Sequence, residues 1–147
     1  MIRQMTIEDH AEVYALWKRI SGFGMRTVDD SYENIRRFLV RNEGLSVVAV
    51  EDNRIVGTIL CGHDGRTGAF YHVCVDQDYR GRGICGQMAD ACVEALKKEH
   101  VNRVSLIAFV TNAVGNAYWQ KRGWTLREDF NQYVLDLNED NTTVFNP

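Results

Sequence analysis

The sequence predicts a single α/β domain in which a mixed central β-sheet is flanked by helices. Three observations carry this. Segments of strand period alternate with segments of helical period, which fits neither a helical bundle nor a sandwich. At 147 residues the chain can bury one substantial core, and its one proline is the last residue, so no proline-rich linker divides it. A short apolar strand, Phe70 to Val75, runs into a basic, glycine-rich turn and then into an amphipathic segment. That is the layout of a strand–turn–helix anion site.

Each element has a local cause. Met1 to Met5 alternates weakly and suits an edge strand. Thr6, followed three residues later by Asp9, can cap the next helix, where Val13, Leu16, Trp17 and Ile20 recur at helical spacing. Ser21-Gly22-Phe23-Gly24 breaks that helix. Ser31 can cap a second one through about Arg41, with Ile35, Phe38 and Leu39 inward, and Asn42-Glu43-Gly44 stops it. Leu45 to Val50 and Arg54 to Cys61 make a hairpin through Glu51-Asp52-Asn53. After a polar turn from Gly62 to Gly68 comes the strand Phe70 to Val75. Cys85, Met88, Ala89, Cys92, Val93 and Leu96 then give a helix one apolar stripe. Arg103 to Val110 reads as a strand and Asn112 to Arg122 as a short helix ended by Gly123. Trp124 to Arg127 and Gln132 to Leu137 read as a closing strand pair. The expected order is βααβββαβαββ, with residues 1–147 as one domain.

Composition narrows the function. A net charge of −3 argues against a nucleic-acid surface and makes Arg80 and Arg82 a local basic feature. Cys61, Cys74, Cys85 and Cys92 form no C-x-x-C pair and sit among apolar or small residues, which reads as reduced thiols in a cytoplasmic protein. No long apolar run or signal-peptide pattern is seen, so no membrane association is expected. None of the four histidines pairs with Cys or carboxylates at ligand spacing, and no metal is expected.

The turn Arg80-Gly81-Arg82-Gly83-Ile84-Cys85-Gly86 reads as a diphosphate grip. Glycines admit an anion to the backbone, the first-turn N–H groups of the following helix are unpaired, and the dipole adds positive potential. Gly81 to Gly86 matches the dinucleotide fingerprint G-x-G-x-x-G by letter, yet Asp76 to Arg80 separate the turn from Val75. The next strand-like run also lacks the acidic residue that holds a ribose. No Gly-Lys-Ser/Thr follows, which removes a phosphate loop.

The turn instead resembles the acetyl-CoA signature of the GNAT superfamily of N-acetyltransferases, Gln/Arg-x-x-Gly-x-Gly/Ala, with Arg80 and Gly83 at the matching positions and Cys85 in place of the last small residue. Met1 to Trp17 resembles the family's opening strand and helix, and Asn112 to Trp124 its Asn-x-x-Ala…Tyr-x-x-x-Gly-Phe segment. Within the superfamily it looks most like small bacterial members of largely unassigned substrate, through Cys61 to Arg66 and Tyr71-His72. The resemblance implies a GNAT-like fold and acetyl-CoA as co-substrate, its pantetheine arm lying along Val73, Cys74 and Val75 as an added strand. It implies cofactor contacts from Arg80, Gly81, Arg82, Gly83, Ile84, Cys85, Gly86, Asn112 and Trp119. Asn112 fits a helix N-cap equally well. The implied activity is acetyl transfer to a primary amine of a small molecule or peptide by direct attack in a ternary complex. A sensor or interaction module that binds acetyl-CoA without turnover is the alternative. Homodimers are common in the family, and the apolar Phe23-Gly24-Met25 loop is a candidate contact.

Such transfer needs a neutral amine, a stabilised oxyanion and a proton for the departing thiolate. Backbone N–H groups near Val73 to Val75 can serve the oxyanion. The family's tyrosine, seven residues after the asparagine, is here Trp119, whose indole is no acid. Tyr118 is next to it, turned by about 100° on a helix, and is the candidate acid or a packing residue. The family's glutamate positions are Ala69 and Ile107. His72 is the titratable substitute, although strand parity turns it away from Tyr71, Val73 and Val75 unless a bulge intervenes. His63 and Asp64 fit a turn, and His10 and His100 read as solvated helix ends. Asp29, Asp30 and Glu33 either attract a cationic amine or complement a helix N-terminus.

Overall fold

In the computed structural model, which describes residues 1–147, a five-stranded sheet is packed between helices on both faces. The elements are β1 (Ile2–Gln4), α1 (His10–Arg19), β2 (Gly24–Arg26), α2 (Tyr32–Arg41), β3 (Val47–Glu51), β4 (Arg54–His63), β5 (Gly68–Val75), α3 (Ile84–Lys98), β6 (Val104–Leu106), α4 (Ala113–Lys121) and β7 (Thr143–Phe145). The sheet order is β1-β3-β4-β5-β6, antiparallel except for the parallel pair β5 and β6. The mixed sheet and the α/β class are as expected.

Local chemistry sets the boundaries. The Ser31 side chain accepts from the Asn34 N–H at 3.3 Å and starts α2. Asp52 and Asn53 both have positive φ, 52° and 58°, which matches the right-handed twist of a two-residue hairpin between β3 and β4. Asn112 accepts from the Gly115 N–H at 3.0 Å and starts α4.

Two apolar clusters flank the sheet. On one face α3 sets Ile84, Met88, Ala89, Cys92 and Leu96 against Val56, Ile59, Phe70 and Val75. On the other, α1 and α2 set Val13, Leu16, Trp17 and Ile35 against Val48, Leu60 and Cys74. The β4 strand is buried along nearly its whole length, as expected for a central strand covered on both faces.

The closing region differs from expectation. Residues 125–140 form no regular strand and are exposed throughout, including Leu126, Tyr133, Val134, Leu135 and Leu137. The expected pair Trp124 to Arg127 and Gln132 to Leu137 has the right period but finds no strand edge of matching length. β6 pairs only through Leu106, and a turn closed by Asn112 N–H to Phe109 O at 2.9 Å then leads into α4. The last strand is β7 instead, and it pairs with β2 between the first two helices. No helix is long and apolar enough to cross a membrane.

Candidate active site

The site is built where β5 parts from its neighbour. β6 pairs with β5 only at Gly68, Ala69 and Phe70, so the edge from Tyr71 to Val75 on that side meets no strand. Its N–H and C=O groups are open to an added chain. Beyond Val75 the chain is braced before it turns. Asp76 Oδ1 accepts from the Asp78 N–H at 3.0 Å, its Oδ2 accepts from Arg19 at 3.1 Å, and the Tyr79 hydroxyl donates to Asp52 at 2.9 Å. The Asp78 N–H, with Arg19 adding to it, holds the Asp76 carboxyl below its usual range.

The turn then opens on α3. Gly81 and Gly83 sit at φ +77° and +78°, a left-handed conformation that favours glycine, and Gly83 is the helix N-cap. A side chain built at Gly81 would meet nothing within 4 Å, so the backbone is bare to solvent there. The first intrahelical bond is Gln87 N–H to Gly83 O, which leaves the earlier N–H groups of α3 facing the turn. Arg80 donates from Nε to Val75 O at 3.0 Å and its two Nη groups make no ion pair. Arg82 lies over the Tyr79 ring at 4.8 Å. The Cys85 thiol, at the position where the motif departs, lies beside the Tyr118 hydroxyl. Bare left-handed glycines, free helix donors and an unpaired guanidinium in one place fit a diphosphate.

α4 closes over this turn. A Cβ at Gly86 would lie 2.5 Å from Arg122 Nη1 and 3.5 Å from the Tyr118 hydroxyl, so the missing side chain lets α4 approach α3. Arg122 completes the contact by bonding Asp90 at 2.7 Å. Burial and the bond to Cys85 push the Tyr118 phenol up to about 12, so it keeps its proton near neutral pH. Trp119 is edge-on to the Tyr118 ring at 5.1 Å and packs against Trp124 at 4.9 Å and edge-on to Phe70 at 6.5 Å. Of the two neighbours, Tyr118 presents a polar group to the turn and Trp119 packs.

On the opposite face of β5 stands His72. Thr58 pairs with Cys74 and Leu60 with Tyr71, so Ile59 alone opposes His72 and Val73, and the strand bulges. His72 takes φ +49°, uncommon for a residue with a side chain. The bulge puts its ring on the same face as Tyr71, between Trp17 at 4.6 Å and Phe23 at 4.7 Å. The Thr58 hydroxyl, itself accepting from Trp17 Nε1, donates to the His72 carbonyl at 2.8 Å and fixes the bulge. His72 Nε2 lies 2.7 Å from Asp30 Oδ1.

The other charged candidates are occupied. Asp29 meets Asn141 and Arg26, and Glu33 is bonded to Arg36 and Arg37. Asp30 is buried, as no sequence pattern 42 residues away from His72 reveals. His10 bonds the Asp30 carbonyl at 3.0 Å and His63 bonds Glu99 at 2.9 Å. Phe23 and Met25, expected as an external contact, turn inward against Trp17 and the core. A groove of about 400 Å³ lies on the Tyr71 face, lined by Phe38, Arg41, Asp64, Ala69, Tyr71 and Ser105.

The fold and site define a class: α/β domains with a glycine-rich strand–turn–helix junction, suited to an anion, beside a parted strand edge. Residues 9–124 match the family model described as Acetyltransferase (GNAT) family. The chain is 37% identical over 102 residues to Acetyltransferase SG1711 of Sodalis glossinidius (strain morsitans), covering 69% of this chain and 68% of that protein. It superposes on the PaiA N-acetyltransferase of Thermoplasma acidophilum in complex with coenzyme A with a TM-score of 0.71 at 16% identity, covering 97% and 95% of the two chains. It superposes equally on an aminoglycoside acetyltransferase from an uncultured soil metagenomic sample in complex with sisomicin, with a TM-score of 0.72 at 16% identity over 94% and 96%. This chain belongs to the GNAT acetyltransferase family and is an acyl-CoA-dependent acetyltransferase.

Proposed function

We propose that the enzyme moves the acetyl group of acetyl-CoA to a primary amine of a small molecule or peptide by direct attack in a ternary complex. The observation that carries this is the unpaired edge of β5 from Tyr71 to Val75, continuous with the glycine turn. Pantetheine amides pair along Val73 to Val75, and the diphosphate rests on the turn N–H groups, Arg80 and Arg82. A backbone N–H of the open edge polarises the thioester carbonyl, an interaction worth about 10²- to 10³-fold in rate for related oxyanion donors. Asn112 holds the start of α4 beside the arm. Tyr118 donates a hydrogen bond to the departing thiolate, because a phenol at about 12 retains its proton against a thiol.

The acceptor enters through the groove beside Tyr71, on the opposite side of β5 from the turn. Relatives of this fold include proteins solved with coenzyme A and with the amine-bearing ligand sisomicin, which supports this donor and acceptor chemistry. Calorimetry with acetyl-CoA and with NAD tests the donor: micromolar heat with the first and none with the second is expected. Absence of acetyl-CoA binding removes the reading. A free-thiol screen across polyamines, amino acids, aminoglycosides and peptide N-termini tests turnover. Binding without thiol release in any class would make the protein a sensor.

A further inference from the structure

We propose that His72 takes the proton of the incoming ammonium at Nδ1 and that Asp30 is its positioning residue; this rests on the amine-acetylation reading above. The geometry is over-determined. His72 adopts a left-handed backbone on a two-against-one bulge, and Thr58 locks its carbonyl. Strain of this kind persists where surrounding structure enforces it. Trp17 and Phe23 hold the ring plane, and Asp30 meets Nε2 at 2.7 Å.

Asp30 is fixed in place by its other bonds, which leave Oδ1 to His72. It is 3% exposed, its second oxygen accepts from the Arg26 N–H at 2.7 Å, and its carbonyl meets His10. A buried carboxylate is costly unless fully bonded, and here both oxygens are bonded. An ionised carboxylate only accepts, so Nε2 carries hydrogen, and in the neutral imidazole the lone pair then lies on Nδ1. Nδ1 has no hydrogen-bond partner within the chain, and 17% of the side chain stays exposed. The groups around the imidazole are Asp30, the backbone of Arg26, His10 behind Asp30, and Thr58 with Cys74 from β4 and β5.

One ammonium proton moves to Nδ1, and the neutral nitrogen attacks the thioester carbon to form the C–N bond. Collapse breaks the C–S bond, the thiolate takes the second nitrogen proton, and the imidazolium returns its proton to water.

The test uses the whole protein with butylamine and hydroxylamine as acceptors near neutral pH. Hydroxylamine is already neutral there and needs no base. His72→Asn tolerates the left-handed backbone. It is expected to slow butylamine acetylation about 10²-fold while hydroxylamine acetylation and acetyl-CoA affinity change little. His72→Gly is expected to regain butylamine turnover with added imidazole. Asp30→Asn offers an N–H to Nε2 and forces the opposite tautomer, and its expected butylamine loss is also about 10²-fold. Equal losses on both acceptors without imidazole rescue would make the pair structural and overturn the proposal. Nitrogen NMR of His72 reads the tautomer directly, independent of turnover. An Nε2–H tautomer in the parent that flips in Asp30→Asn supports the assignment, and an Nδ1–H tautomer in the parent overturns it. Failure of the acetylation reading shows instead as absent acetyl-CoA binding with the tautomer unchanged.

Discussion

Gly83 carries two jobs that substitution separates. At φ +78° a side chain is strained by about 1–2 kcal/mol whatever the space, and space is ample, since only Gln87 Nε2 lies near at 3.9 Å. Gly83→Ala is therefore expected to lose about 1 kcal/mol in urea unfolding and also to weaken acetyl-CoA by calorimetry, since a methyl group stands where the diphosphate approaches. Unchanged affinity would mean that the diphosphate lies elsewhere. Tyr118 makes a different kind of contribution. Tyr118→Phe removes one donor to a charged leaving group, about 1.5–3 kcal/mol, so kcat is expected to fall roughly 10- to 100-fold with KM for acetyl-CoA unchanged. The turn is readable from sequence because glycine spacing and arginine placement are local properties. The orientation of His72 is not, because a bulge is a property of two strands in register, and the parity rule fails where Ile59 faces two residues.

At the scale of elements, the start of α1 shows how charge sets pH dependence. Asp9 accepts from Arg3 through both oxygens at 2.9 Å and from the Thr6 N–H at 2.9 Å, and its side chain is 11% exposed. The Arg3 bond first, and Thr6 after it, hold its carboxyl below the ordinary 3.8. A depressed carboxylate stabilises the fold fully above its unfolded value, and that stability disappears as pH falls through the folded one. Asp9→Asn is thus expected to cost about 1 kcal/mol in denaturant unfolding at neutral pH, with the gap to the parent closing below 3.8. A gap that persists in acid would assign the effect to packing. Capping of this kind is legible from Thr6 and Asp9, as is Ser31 for α2, because the signal lies within one turn. The closing strand pair is absent for the complementary reason. An alternating pattern states that one face seeks cover, but a strand exists only where an edge of matching length receives it, and β6 offers three residues.

Across the whole molecule, the end of the chain secures the face that holds His72. Asn146 Nδ2 donates to Trp17 O at 2.7 Å and to Ile20 O at 2.9 Å, carbonyls at the C-terminal end of α1 that also accept from the Ile20 and Phe23 N–H groups. Its N–H bonds Phe23 O at 3.0 Å, its carbonyl accepts from Gly22 N–H at 3.1 Å, and β7 pairs with β2. One residue near position 147 therefore fixes the turn whose Phe23 covers the His72 ring, over a sequence separation that no local pattern encodes. The diphosphate turn lies on the other side of β5 and shares none of these bonds. Asn146→Ala removes the side-chain donor shared by these two carbonyls and leaves their backbone donors, so thermal unfolding is expected to shift down by the equivalent of about 0.5–1.5 kcal/mol. Loss of the Phe23 cover also admits water beside the imidazole. Amine acetylation is then expected to fall while acetyl-CoA affinity, read by calorimetry on the same sample, stays within about 2-fold, a change of under 1 kcal/mol. Parallel loss of affinity and turnover would show instead that the two faces of β5 are mechanically one unit, and that the C-terminal strand supports the donor site as much as the acceptor side.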